Sequence, residues 1–135
     1  MGKQHTFYDY IDAAGGGSNI IKGWLNGGGK AANAIFITRI ELLEASPPGD
    51  YEDSVWKPPF VIPLKNNWKG FIEIRAKANK KQYRLVGEKI DRNIFLATWG
   101  FHDGKGWNID VTPATAKERV KRMIDNSEYR KEHEF

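Results

Sequence analysis

Two arginines that face each other across a predicted β-hairpin are the residues whose types and spacing point most directly to chemistry. The segments 71–77 and 82–88 alternate apolar and polar residues around a short connection, which is the period of paired strands. In the simplest register Arg75 lies directly opposite Arg84. Because two cations at such a position repel each other, the pattern predicts either an anionic ligand between them or compensation by the nearby carboxylate of Glu73.

The positive charge of the chain is concentrated around this hairpin. The formal net charge is +4 and the isoelectric point is about 9.3. Residues 65–92 carry nine lysines and arginines against three acidic residues, whereas residues 1–60 are acidic and residues 93–135 are balanced. Each phosphate that a cation neutralises releases a counterion, so a concentrated positive field favours a nucleic-acid partner. The alternative is a lysine-rich, solvated hairpin without a ligand.

The composition excludes several kinds of site. The sequence has no cysteine, which rules out disulfides, thiolate metal ligands and cysteine nucleophiles. The three histidines lie far apart, so we expect no metal site. The glycines at 27–29 follow a predicted helix rather than a strand, so they do not form a dinucleotide fingerprint, and we expect no cofactor. No apolar run reaches the ~18 residues of a membrane helix, and we expect a cytoplasmic protein without membrane contact.

The elements that must position the arginines are predicted in the order strand, helix, helix, three strands, helix. Length favours one domain over residues 1–135. A short aromatic strand at 6–11 precedes a helical hairpin, whose first helix is expected to begin at Ser18 as the capping residue. The second helix runs from about 30 to 45, and its buried stripe is expected to be Ala32, Phe36, Ile40 and Leu43.

The second half of the chain is expected to contain the sheet and a last helix. Five prolines predict a long irregular loop at 45–66. The segment 93–101 is apolar on both faces, which is typical of a central strand. Thr112 followed by proline predicts the start of a helix, with a buried stripe of Ala116, Val120, Met123 and Ile124. The charged tail at 126–135 is expected to fray.

Four short motifs follow one another in a characteristic order after the helical hairpin: Phe71-Ile72-Glu73-Ile74-Arg75, Gln82-Tyr83-Arg84-Leu85-Val86, Thr98-Trp99-Gly100-Phe101 and Thr112-Pro113. In this order the chain resembles the RelE/HigB/ParE toxin superfamily, most closely the phage-derived HigB-like proteins, over roughly residues 6–125. The resemblance implies an α+β, RelE-like fold in which two N-terminal helices pack on a small antiparallel β-sheet with a C-terminal helix. It also implies a cytoplasmic toxin that is neutralised by a cognate antitoxin of the helix-turn-helix type.

The resemblance further implies a metal-independent, ribosome-dependent mRNA endoribonuclease. Arg75 and Arg84 would stabilise the pentacoordinate phosphate, and His102 would act as acid or base. Glu73 is a second candidate base, with a salt bridge as its alternative role. The remaining candidates contact the RNA backbone or stack on a base, namely Lys69, Lys77, Lys105 and Trp107; Trp99 is a further stacking candidate for which burial is the alternative.

Two other functions stay open. ParE-type relatives act on DNA gyrase, so a non-catalytic gyrase inhibitor is one alternative. An inactive, phage-derived RNA-binding protein, or an RNA-binding module without toxicity, is the other. The discriminating observations are mRNA cleavage within codons, inhibited supercoiling, or RNA binding without either effect.

Overall fold

The computed structural model describes residues 3–47, 55–59, 61–102, 107–109 and 111–134. Within these residues eight strands and three α-helices form an α+β fold. The strands are β1 (Thr6–Asp12), β2 (Ser18–Asn19), β3 (Val61–Pro63), β4 (Ile72–Ala78), β5 (Lys81–Ile90), β6 (Asn93–His102), β7 (Trp107–Ile109) and β8 (Arg130–Glu132). The helices are α1 (Ile20–Asn26), α2 (Asn33–Ala45) and α3 (Pro113–Asp125).

The strands join one sheet in the order β2-β1-β6-β5-β4-β3, with β7 paired to β6 and β8 paired to β1. The α+β class is confirmed, but the expected arrangement of a small, purely antiparallel sheet is not. Strand β1 precedes both helices of the N-terminal hairpin and pairs in parallel with β6. Short additional strands also enlarge the sheet, because segments expected to be irregular supply them.

The helices cover opposite faces of the sheet. Helices α1 and α2 pack on one face, where Phe36 and Leu85 belong to the same buried core. Helix α3 packs on the other face, where Phe95 and Met123 meet. Strand β6 lies between β1 and β5 and contributes to both cores, so the prediction of a central strand is confirmed.

The hairpin β4–β5 has the predicted register. Lys77 pairs with Gln82 and Arg75 pairs with Arg84. The two turn residues, Asn79 and Lys80, have φ values of 52° and 66°. Positive φ values at both central residues are typical of a type I′ turn, whose twist matches that of the two strands that it joins. The turn therefore fixes the register that sets the two arginines opposite each other.

A bulge interrupts the pairing of β5 with β6. Val86 pairs with Thr98, whereas Gly87 pairs with Leu96. The backbones approach so closely here that a Cβ on Gly87 would lie 2.3 Å from the carbonyl oxygen of Phe95. Position 87 therefore requires glycine, because any side chain would displace backbone.

The helix boundaries agree with the sequence in most respects. The predicted stripe of α2 is fully buried, and Thr112 caps α3 by accepting a hydrogen bond from the Thr115 amide at 3.2 Å. Two expectations were wrong. Asn19 rather than Ser18 caps α1, since its side chain accepts from the Lys22 amide. Ile124 is 47% exposed, because it falls on the outer side of the last turn of α3.

Parts of the two segments expected to be irregular are paired strands. Strand β3, inside the predicted loop, pairs with β4. Strand β8, inside the tail expected to fray, pairs with β1, and His133 Nδ1 lies 2.6 Å from Asp9 Oδ1. Both side chains of this pair are almost completely buried, which anchors the tail to the first strand. Among the described residues no helix has the length and apolarity to cross a membrane.

Candidate functional site

The sheet register gathers most of the predicted site residues at one end of one face. Residues that are directly opposed on neighbouring antiparallel strands point to the same face. One row across the sheet contains Arg75, Arg84 and Gly100, and the next row contains Lys77, Gln82 and His102. We call these two rows the hairpin-end surface. Val86, which pairs with Glu73, belongs to the α3 core, so the rows lie on the α3 side of the sheet.

Glu73 joins the two arginines through its carboxylate. Arg75 donates from Nε to Oε1 at 2.5 Å, and Arg84 donates from Nη1 to Oε2. The side chain of Glu73 is fully buried, that of Arg84 is 8% exposed, and that of Arg75 is 37% exposed. Of the two ways predicted to relieve the repulsion between the arginines, the structure therefore contains the compensating carboxylate.

The environment of Arg84 is costly for a cation. Burial lowers the pKa of its guanidinium, since desolvation outweighs the attraction of Glu73, and the neighbouring charge of Arg75 lowers that pKa further. Arginine nevertheless stays protonated in proteins, and the guanidinium of Arg84 is paired with the buried carboxylate of Glu73. This arrangement is a buried ion pair with a second, more exposed arginine attached to it.

The two arginines predicted to stabilise a phosphate therefore differ in exposure, because Arg75 is partly exposed and Arg84 is buried. Arg84 does not reach the surface, and both oxygens of Glu73 are occupied by arginines. The salt-bridge role of Glu73 is thus the one that the structure contains, because each of its carboxylate oxygens accepts a hydrogen bond from an arginine. The cations that an anion can reach at the hairpin-end surface are Arg75 and Lys77, which are half-buried and exposed respectively.

His102 is the titratable residue of the second row. It is the last residue of β6, is half-buried, and pairs with Gln82 on one side and with the backbone of Trp107 on the other. Lys77 lies two strands away in the same row, at a separation of about 10 Å between backbones. An extended anionic chain that crosses the strands can therefore touch both residues.

The other predicted contacts are distributed differently. Lys69 follows a short helical turn at the start of β4, so it lies at the opposite end of that strand from Lys77. Lys105 lies outside the described residues. Trp99 stacks on Trp24 at 5.0 Å with an interplanar angle of 7°, on the face covered by α1 and α2. Trp99 is half-buried against this core, which favours the packing alternative, and its role in stacking on a base stays a prediction.

Sequence reasoning missed one cluster of arginines and tyrosines beside α3. Arg119 lies 4.9 Å from the ring centre of Tyr10, and Arg122 lies 5.8 Å from that of Tyr129. The tyrosines come from opposite ends of the chain, so no local pattern joins them. In the described part of the chain no group of three or more histidine, aspartate or glutamate side chains is arranged to hold a metal ion.

Comparison with known proteins identifies no relative of this chain. No protein-family model, curated protein or solved structure matches this chain significantly. Function is therefore argued from the hairpin-end surface and from the residues around it.

Proposed function

We propose that this protein binds RNA at the hairpin-end surface and acts as a ribosome-dependent mRNA endoribonuclease, the toxin of a toxin–antitoxin pair. The observation that carries the proposal is that one sheet face gathers Arg75, Lys77 and His102 at one end. Glu73 lies on the same face, and its carboxylate is paired with both Arg75 and Arg84. Cations gathered at one end of a sheet attract phosphates, as RNA binding requires.

The tip of the hairpin extends this positive surface. Lys80 and Lys81 are exposed in and beside the turn, next to the row of Lys77. Lysines contact phosphates as mobile point charges and carry no sequence preference, so they position an RNA strand without selecting its bases. The position of cleavage would then depend on the codon that the ribosome holds, which agrees with the proposed ribosome-dependent activity.

The order of the longer elements also supports the proposal. Strand β1, helices α1 and α2, strands β4 to β6 and helix α3 follow one another in the order that the sequence patterns predict. We propose that this order corresponds to a RelE-like arrangement, to which the short strands β2, β3, β7 and β8 are additions. The cognate antitoxin and the ribosome are the partners that belong to this proposal.

The residues can divide the work of metal-independent cleavage. Cleavage needs a base for the 2′-hydroxyl, cations for the pentacoordinate phosphate and an acid for the 5′-oxygen. Arg75 and Lys77 supply the cations. Histidine exchanges protons readily near neutral pH, so His102 acts as the acid or the base, and solvent water takes the other proton-transfer role. Glu73 and Arg84 hold the guanidinium of Arg75 in place rather than touching RNA.

A second candidate is binding without cleavage. The burial of Glu73 favours it, because His102 is then the one accessible proton-transfer group on the described hairpin-end surface. Cleavage of RNA generally uses both an acid and a base. A protein with one such group fits an RNA-binding protein without catalysis or a ParE-like gyrase inhibitor.

Cleavage in a reconstituted translation reaction tests the proposal. Purified protein is added to ribosomes that carry a defined mRNA, and the 5′ ends of fragments are mapped. We expect ends clustered within codons, and a loss of at least about 100-fold in rate for His102→Gln, the lower end of the usual contribution of a general acid or base. Arg75→Gln should also slow cleavage, whereas Lys57→Gln, at an exposed position on the α1/α2 side, should not.

The same preparation separates the alternatives. Intact mRNA together with inhibited gyrase supercoiling would replace the endoribonuclease by the gyrase inhibitor. Intact mRNA, unaffected supercoiling and RNA binding that weakens steeply with salt would leave an RNA-binding protein. Co-expression with the adjacent reading frame should abolish growth arrest if that frame encodes the antitoxin.

A further inference from the structure

A surface groove of about 550 Å³ borders the C-terminal half of α3 and the turn that follows it. Its walls include Lys117, Lys121, Arg122 and Tyr129, and we call it the α3 groove. Its volume falls within the range of about 300–1,000 Å³ that is usual for small-molecule sites. It contains none of the residues of the hairpin-end surface, so it is a separate feature of the molecule.

The aromatic side of the α3 groove is fixed by neighbouring residues. Arg122 donates to the hydroxyl of Tyr10 at 3.2 Å and to Glu118 at 2.8 Å. Its guanidinium lies 5.8 Å from the ring centre of Tyr129, and that ring packs on Tyr10 at 6.2 Å. Tyr129 is half-buried. Because the ring is already held in place, a ligand that stacks on it loses little entropy in ordering it.

The cationic side of the α3 groove consists of Lys117 and Lys121. Both are exposed and stand one helical turn apart, with their Cβ atoms about 5–6 Å from each other. Neither lysine forms an ion pair with any described residue, whereas Glu118 is already paired with Arg122. Asp125 also borders the groove and reduces its positive charge without removing it.

Two lysines beside a fixed aromatic ring are the combination that recognises a nucleotide. The lysines attract phosphates, and a base can pack against the exposed part of the half-buried ring, which combines the two contacts of single-stranded nucleic-acid binding. We infer that the α3 groove binds one ribonucleotide unit of an RNA chain, with its phosphates on Lys117 and Lys121 and its base against Tyr129. This inference rests on the proposed function and adds a second contact to it, outside the hairpin-end surface.

The salt dependence of RNA binding tests the inference. A fluorescently labelled single-stranded RNA of about 12 nucleotides is titrated with the whole protein at several salt concentrations. The double variant Lys117→Gln/Lys121→Gln should reduce the slope of log affinity against log salt by about 1.4, at about 0.7 for each phosphate contact. The matched control Lys30→Gln/Lys57→Gln removes the same charge on the α1/α2 side, and the slope should stay that of the unmodified protein.

Substitutions of Tyr129 test the aromatic contact separately. Tyr129→Leu should lower RNA affinity about fivefold or more, while Tyr129→Phe should retain it, because stacking needs the ring and not the hydroxyl. Thermal unfolding of both variants shows whether the packing against Tyr10 survives. Equal RNA affinity for folded Leu and Phe variants would overturn the role of the ring.

A hairpin variant separates this inference from the proposed function. If Lys77→Gln/Lys80→Gln weakens binding and the α3 variant behaves like its control, the α3 groove does not bind RNA and the hairpin-end surface does. If the α3 variant alone weakens binding, the groove binds RNA and the hairpin-end surface fails. Repeating the titration with ribosomes in place of free RNA shows whether the nucleotide belongs to a single strand or to ribosomal RNA.

Discussion

Removal of the Glu73 carboxylate is the sharpest test of the buried ion pair. In Glu73→Ala the guanidinium of Arg84 stays in a site where its side chain is 8% exposed, and it loses its ion pair with Glu73. Arg75 and Arg84 then lie opposite each other across the strands without the carboxylate that links them. Both effects act against the folded state, so the variant should be strongly destabilised.

The expected loss is about 3–5 kcal/mol of unfolding free energy, which is the usual cost of breaking a buried pair by deleting one partner. Arg84→Ala leaves Glu73 buried and should cost a similar amount. Arg75→Ala removes a guanidinium whose side chain is 37% exposed, and its direct cost should be about 1 kcal/mol or less. The substitutions Arg75→Ala and Arg84→Ala therefore remove the same side chain from a partly exposed and from a buried position.

Urea denaturation followed by tryptophan fluorescence measures these free energies. In the double variant Glu73→Ala/Arg84→Ala no unbalanced charge stays buried, so its loss should fall well short of the sum of the single losses. Equal losses for Arg75→Ala and Arg84→Ala, or additive losses for Glu73 and Arg84, would refute the argument. Either result would mean that the carboxylate does not depend on the buried arginine.

Three further substitutions test other parts of the fold. Gly87→Ala should lower the free energy of unfolding by about 1–3 kcal/mol, because the new Cβ would lie 2.3 Å from a backbone oxygen. The control Gly23→Ala in α1, where a Cβ meets nothing within 4 Å, should raise it by about 0.5–1 kcal/mol. The reverse order of the two stabilities would contradict the close approach at Gly87. His133→Ala should lose about 1–3 kcal/mol, because Asp9 Oδ1 loses its buried partner while Oδ2 keeps the hydrogen bond from Asn19, and normal stability would show that β8 is not anchored there. Lys80→Gly should raise the melting temperature, since Lys80 has a φ of 66°, and no change would argue against strain in the turn.

Local patterns predicted the elements that bring the site together. The period of two, interrupted by a short turn, was sufficient for the register of Arg75 with Arg84, because a one-residue slip would have moved the apolar set to the wrong face. The proline directly after Thr112 was sufficient to predict where α3 begins. Both patterns depend on residues that are close in sequence.

Long-range pairings were the part that the sequence could not specify. Asp9 and His133 are 124 positions apart, and a charged tail gives no sign that one of its histidines is buried. Whether Glu73 or an external anion neutralises the two arginines could not be predicted for a related reason. The register places Glu73 near both arginines, but burial decides whether a carboxylate or an external phosphate neutralises them, and burial follows from the whole fold.

The pairing of β8 with β1 has a consequence for chains whose synthesis is incomplete. Strand β1 precedes the other described elements in the sequence, whereas β8 and His133, which cover its outer edge and Asp9, follow them and are synthesised later. A nascent chain that stops before residue 130 exposes a strand edge and a carboxylate that the finished protein covers. Truncated products should therefore be recognised by proteases and chaperones, so that only chains that extend past His133 persist.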